Sequence, residues 1–131
     1  MKSFRFAFYL VVALEVSSAV AGSFEDFFAY LRNDNASGVA ELLRRGFDPN
    51  TKNEQGQPGL TIAMREQSLK SAKVLLSNPS TDANALNAAG ESPLMMSALK
   101  GDVEGARLLL DHGAKVNKSG WTPLHYAATG P

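Results

Sequence analysis

The sequence predicts an all-α chain, a solenoid of stacked antiparallel helix pairs joined by hairpin-like turn fingers. Three observations predict it. Leucine pairs followed by turn residues recur at Leu42-Leu43-Arg44-Arg45-Gly46, Leu75-Leu76-Ser77-Asn78-Pro79 and Leu109-Leu110-Asp111-His112-Gly113. The second leucines, Leu43, Leu76 and Leu110, stand 33 and 34 residues apart, and a fixed period of that length marks a repeat architecture. Each pair is followed by an asparagine that closes the turn region, at Asn50, Asn84 and Asn117. The run Gly120-Trp121-Thr122-Pro123-Leu124-His125-Tyr126-Ala127-Ala128 reads as a helix start. The Thr122 hydroxyl can cap an N-terminus, and Pro123 fits the first turn, where no amide donor is needed. Leu124, Ala127 and Ala128 then offer a narrow apolar face that lets neighbouring helices approach closely.

That run resembles the opening of an ankyrin repeat, whose signature contains Thr-Pro-Leu-His-x-Ala. Gly113-Ala114-Lys115-Val116-Asn117 is similar to the Gly-Ala-Asp-Val-Asn ending of the same family, and Gly56, Gly90 and Gly120 mark three successive finger tips. The resemblance covers roughly Ser23 to the end. It divides the chain into units of about 23–52, 53–86 and 87–117, with an incomplete unit at 118–131. The departures are informative too. The Thr-Pro-Leu-His slot reads Pro58-Gly59-Leu60-Thr61 in the second unit, which predicts a weaker helix start, and Ser92-Pro93-Leu94-Met95 in the third. The finger before Gly120 is shortened by three residues, and Asn78-Pro79-Ser80-Thr81-Asp82 carries one extra residue, so a bulged loop is expected there.

Taken in order, Lys2 and Arg5 precede the apolar stretch Phe6–Leu14, and Ala19-Val20-Ala21 places small residues for cleavage. This pattern predicts a secretory leader over 1–21, cut after Ala21. Glu15 interrupts the run well short of the roughly 20 apolar residues a membrane span needs. Ser23 is expected to cap the first helix, with Asp26 as its capping-box partner. Phe24, Phe27, Phe28 and Leu31 follow the i, i+3, i+4, i+7 spacing of a helical apolar stripe. A second helix is expected from about Ser37 to Arg45, burying Val39, Leu42 and Leu43 and stopped by Gly46. Further pairs follow at Leu60–Glu66 with Leu69–Ser77, and at Pro93–Lys100 with Val103–His112. Gly101 ends one helix of the last pair and Asp102 caps the other. The fourth unit stops after one helix, so the chain reads as a fragment of a longer protein.

Composition narrows the chemistry. Loss of Lys2, Arg5 and Glu15 with the leader leaves 11 of 13 basic and 12 of 13 acidic residues. That balance argues against a nucleic-acid or anionic-membrane surface, which needs concentrated positive charge. Arg44-Arg45 is the only basic doublet, and it falls at a helix C-terminus, where cations complement the dipole. The chain has no cysteine, which excludes disulfides, zinc–cysteine sites and thiol catalysis. His112 and His125 lie 13 residues apart on different elements, without metal-ligand spacing. His125 holds the place of the repeat histidine, whose role in the family is hydrogen bonding between adjacent hairpin loops. Glu25, Asp26, Asp102 and Glu104 sit at helix starts, where carboxylates stabilise the free amides. No catalytic residue, cofactor or metal is expected.

The resemblance implies a non-catalytic, monomeric, exported scaffold that engages a protein partner through its concave face of fingers and first helices. It places contact positions at Glu54, Gln55, Gln57, Arg65 and Glu66 in the second unit. In the third unit they are Ala88, Ala89, Glu91, Leu99 and Lys100, and in the fourth Lys118, Ser119, Trp121 and Thr129. Trp121 is a residue type enriched in binding hot spots, although a tryptophan there also serves to pack neighbouring fingers. A protective, chaperone-like factor for an exported enzyme and an effector acting on host proteins are alternatives that use the same face.

Overall fold

A computed structural model describes residues 22–116, and within them six helices form three antiparallel pairs. α1 covers 22–32. It is followed by α2 (Ala36–Arg44), α3 (Gly59–Arg65), α4 (Leu69–Ser77), α5 (Pro93–Leu99) and α6 (Val103–Asp111). The expected leader over 1–21, the expected fourth unit and the finger at Gly120 lie outside the described residues. The helices stack in two layers, with α3 against α5 in one and α4 between α2 and α6 in the other. Among the described residues no strand forms. Backbone pairing between extended segments reduces to the single antiparallel bridge Lys52–Pro58, as short fingers allow. No described helix is long and apolar enough to cross a membrane.

Local chemistry explains most boundaries. Ser92 caps α5 by accepting from Met95 N at 3.2 Å, with Pro93 in the first turn, and Asp102 caps α6 by accepting from Gly105 N at 2.9 Å. α3, entered through Pro58, has no side-chain cap, the weaker start that its sequence predicts. One expectation at the N-terminal end is corrected, and the second helix falls within a residue of its expected bounds. Residue 22 is already helical, so Ser23 is not the residue that precedes the helix, and it forms no capping box with Asp26. α2 begins at Ala36, one residue before Ser37. Asn35 caps it by accepting from Gly38 N at 3.0 Å, and Ser37 Oγ donates to the same carbonyl oxygen.

The turn inside each helix pair passes through the left-handed region at Asp34 (φ 52), Gln67 (φ 55) and Gly101 (φ 66). These equivalent positions set the register of the three units. The core follows that register. Phe27, Leu31, Val39, Leu60, Ala63, Met64, Ala72, Leu75 and Leu109 are fully enclosed. Of each leucine pair the first is the deeper: Leu42, Leu75 and Leu109 are buried, while Leu43 is half-buried. Leu76 is 7% exposed, whereas the equivalent Leu110 is 45% exposed. At the N-terminal end the rings of Phe24, Phe27, Phe28 and Phe47 form a connected cluster with centroids 4.8–5.2 Å apart. Edge-on and tilted contacts of that kind add to simple burial.

Candidate interaction surface

The fingers are built by two asparagines, Asn53 and Asn87, 34 residues apart. Asn53 Oδ1 accepts from Gln55 N and Gln57 N, and its Nδ2 donates to Gln57 Oε1 at 3.0 Å. Asn87 repeats the pattern, with Ala89 N and Glu91 N as donors and Glu91 Oε1 as acceptor at 2.9 Å. The backbone bond from Asn53 N to Gln57 O, and from Asn87 N to Glu91 O, closes each loop. Gly56 and Gly90, with φ of 75° and 77°, supply the left-handed residue that the turn requires. Gly56 also faces Ala88: a Cβ there would lie 3.3 Å from the Ala88 methyl. Each finger tip is therefore locked by its own side chains and stacked on its neighbour.

Between the units runs a second set of bonds. Asn50 Nδ2 donates to Ser80 O at 2.7 Å, and its Oδ1 accepts from Asp82 N at 2.8 Å. Asn84 does the same one unit later, to Gly113 O at 3.2 Å and from Lys115 N at 2.8 Å. Asp48 and Asp82 orient the two asparagines by accepting from their backbone amides. Asp34 joins the helix layers by accepting from Ser71 N at 2.8 Å, and Ser68 Oγ donates to Leu31 O. These bonds fix the spacing of the fingers, so the surface they carry is preformed.

The contact positions expected from sequence are distributed unevenly over this surface. Glu54 and Gln55 are exposed on the finger of the second unit. Gln57 and Glu91 are half-buried, their side-chain oxygens bonded to the finger asparagines. Arg65 and Glu66 lie side by side at the end of α3, 3.7 Å apart. Ala89 and Lys100 are exposed, Ala88 packs toward Gly56, and Leu99 packs against the core. Lys118, Ser119, Trp121 and Thr129 lie outside the described residues.

A cleft of about 470 Å³ opens between α1 and the finger of the second unit. Phe24, Phe28 and Ala29 line it with apolar surface, Glu25, Asp26 and Arg32 rim it from the helix, and Asn53, Glu54 and Gln55 from the finger. α1 is helical already at residue 22, while α3 and α5 are only seven residues long. In the register set by Asp34 and Gln67, Glu25 matches Pro58 and Arg32 matches Arg65. Residues 22–25 of α1 thus occupy the place that a finger fills in the next unit. Sequence reasoning missed Glu25, Asp26 and Arg32 as surface residues of this face. Counting back one unit from Arg65 finds Arg32. Among the described residues no group of three or more His, Asp or Glu side chains could share a metal ion.

The sequence profile of ankyrin repeats in three copies matches residues 27–115 and again 60–130. Among characterised proteins, the chain is similar to the human transient receptor potential cation channel subfamily A member 1, with 31% identity over 101 residues. That alignment covers 75% of this chain and 9% of the channel subunit, so the chain spans a small part of that relative's length. The profile match, the period and the stacked helix pairs agree: this chain belongs to the ankyrin-repeat family.

Proposed function

We propose that the protein is an exported, non-catalytic scaffold that binds a protein partner through its fingers and the outward side of the inner helices α1, α3 and α5. Ankyrin repeats as a family mediate protein–protein contact. The observation that carries the reading here is the preorganised finger row. The side-chain locks at Asn53 and Asn87 and the cross-unit bonds of Asn50 and Asn84 hold Glu54, Gln55 and Ala89 outward in fixed positions. A surface ordered before binding loses little conformational entropy when a partner docks. Export through the leader over 1–21 places that partner in the periplasm or outside the cell. A monomer suffices for this role, and neither nucleic acid nor membrane is a target of its balanced charge.

The test has two parts. N-terminal sequencing of the stable product from a Gram-negative host should begin at Gly22. Affinity capture from periplasmic extract should then yield a partner whose purified form binds the full chain directly. Gln55→Arg and Lys100→Glu on the inner face should weaken that complex roughly tenfold each, in the range of a contact residue. Lys73→Glu on the exposed side of α4 should leave it unchanged. A product that starts at Met1 overturns export, and equal effects on the two faces overturn the binding surface.

A further inference from the structure

The outer helices α2, α4 and α6 are tied to one another unequally. α2 and α4 are held at both ends. At the finger end Asn50, in the loop after α2, bonds Ser80 O and Asp82 N in the loop after α4. At the turn end the start of α4 is held by the first unit: Asp34 accepts from Ser71 N at 2.8 Å, and Ser68 Oγ donates to Leu31 O. α4 has no side-chain cap of its own, so one of its free N-terminal amides is served by its neighbour.

α4 and α6 share only the first kind of tie. Asn84 repeats the finger-end bonds, to Gly113 O and from Lys115 N. At the turn end, Gln67 and Asp102 stand in the places of Asp34 and Ser68. Asp102 serves its own helix by accepting from Gly105 N, the amide equivalent to Ser71 N. Among the described residues no side-chain hydrogen bond joins the helices of the second unit to those of the third. Packing divides the same way. α2 and α4 run close together, and so do α3 and α5 in the inner layer, whereas α4 and α6 approach closely at few positions.

We propose that the third unit rocks on the inner layer, opening and closing the turn end of the junction between α4 and α6. The Asn84 bonds and the packing of α3 on α5 form the pivot, about which the start of α6 swings from the start of α4. The first two units move as one body, because the same swing between α2 and α4 would strip Ser71 N of its acceptor and break the Ser68 bond, and a buried group left unpaired is costly. The fingers keep their spacing, since Asn50 ties the loops at their base and Ala88 lies against Gly56. What changes is the separation of Glu66 and Lys100, exposed at the ends of α3 and α5. The motion belongs to the free chain, and a partner that reaches both residues selects one opening of the junction.

The chain has no cysteine, so pairs of cysteines can be introduced for spin labels. Three pairs at equivalent exposed positions are compared in the full chain, diluted with unlabelled protein: Asn33→Cys with Glu66→Cys, Glu66→Cys with Lys100→Cys, and Gln55→Cys with Ala89→Cys. The distance distribution read from dipolar broadening should be wide for the 66/100 pair and narrow for the other two. Gln67→Asp with Asp102→Ser supplies the missing ties and should narrow the 66/100 pair to the width of the 33/66 pair. Asp34→Gln with Ser68→Asp makes α4 cap itself as α6 does, and should widen the 33/66 pair. Circular dichroism checks that helix is retained, and the two exchanges are independent, so either one decides the matter. Equal widths at the two junctions of the unexchanged chain overturn the proposal. So does a finger pair as wide as the 66/100 pair, which would make the third unit loose as a whole, or a 66/100 pair that stays wide once the ties are supplied.

Discussion

The ring of Phe27 lies over Gly59: a Cβ at position 59 would stand 2.7 Å from Phe27 Cε2 and 3.0 Å from Leu31 Cδ1. Proline, the family's residue at this helix start, would place still more atoms there. The phenylalanine-rich first helix and the loss of proline in the second unit are thus two sides of one packing solution.

Gly59→Ala is expected to destabilise the protein. In an open helix the change gains about 1 kcal/mol, but forcing a methyl against an enclosed ring costs about 1–3 kcal/mol, and the second effect wins. Phe27→Leu should relieve the crowding, so the two substitutions together should cost less than their sum in a urea-unfolding cycle. A stabilised single variant would refute this contact.

Leu109→Ala should cost about 2–5 kcal/mol, the range for a cavity at an enclosed leucine. Native domains hold only about 5–15 kcal/mol in all, so this one change can unfold the chain. Leu110, 45% exposed, is the matched control: Leu110→Ala should cost far less. Equal shifts in urea midpoint would mean that the leucine register is wrong.

Gln67 holds a left-handed φ of 55° without a glycine's freedom. Gln67→Gly should therefore stabilise the chain by up to about 1 kcal/mol, since a side-chain-bearing residue is strained there. Asp34→Gly, at the equivalent turn, should not stabilise, because it also removes the acceptor for Ser71 N. Thermal melts of the two variants should move in different directions.

Asn50→Ala removes both bonds to the following loop, and Asn84→Ala does so one unit later. Each should lower stability by about 1–3 kcal/mol. Hydrogen exchange localises the effect: the Asp82 amide should exchange faster in the first variant and the Lys115 amide in the second. Unchanged protection at both would show that these asparagines do not couple the units.

Much of this was legible in the sequence where one residue type has one job. Asp102, Gly101, Ser92 and Pro93 mark helix ends by local chemistry, and the helices begin or end within a residue or two of where those signals lie. Ser23 misleads because a serine followed by an acid three residues on looks the same inside a helix as at its start. The finger glycines were readable, but the asparagines three positions before them carry the turn. Their recurrence with Gln57 and Glu91 at one unit's spacing is present in the sequence. Asn50 and Asn84 recur at the same spacing and read as closing the turn, but their cross-unit work was hidden, since their partners are backbone atoms 29–32 residues away. Glu54 and Gln55 were placed on the interaction face by resemblance, whereas Glu25, Asp26 and Arg32 belong to a first unit whose helix replaces a finger.

The cross-unit asparagines grip only main-chain atoms, and the side chains they pass over need not match. Asp82 and Lys115, opposite in charge, occupy equivalent places and donate the same amide proton. Gene duplication or deletion can therefore join any two such segments without co-evolved pairs at the junction. The length of the array and the residues on its fingers can then be selected independently of each other.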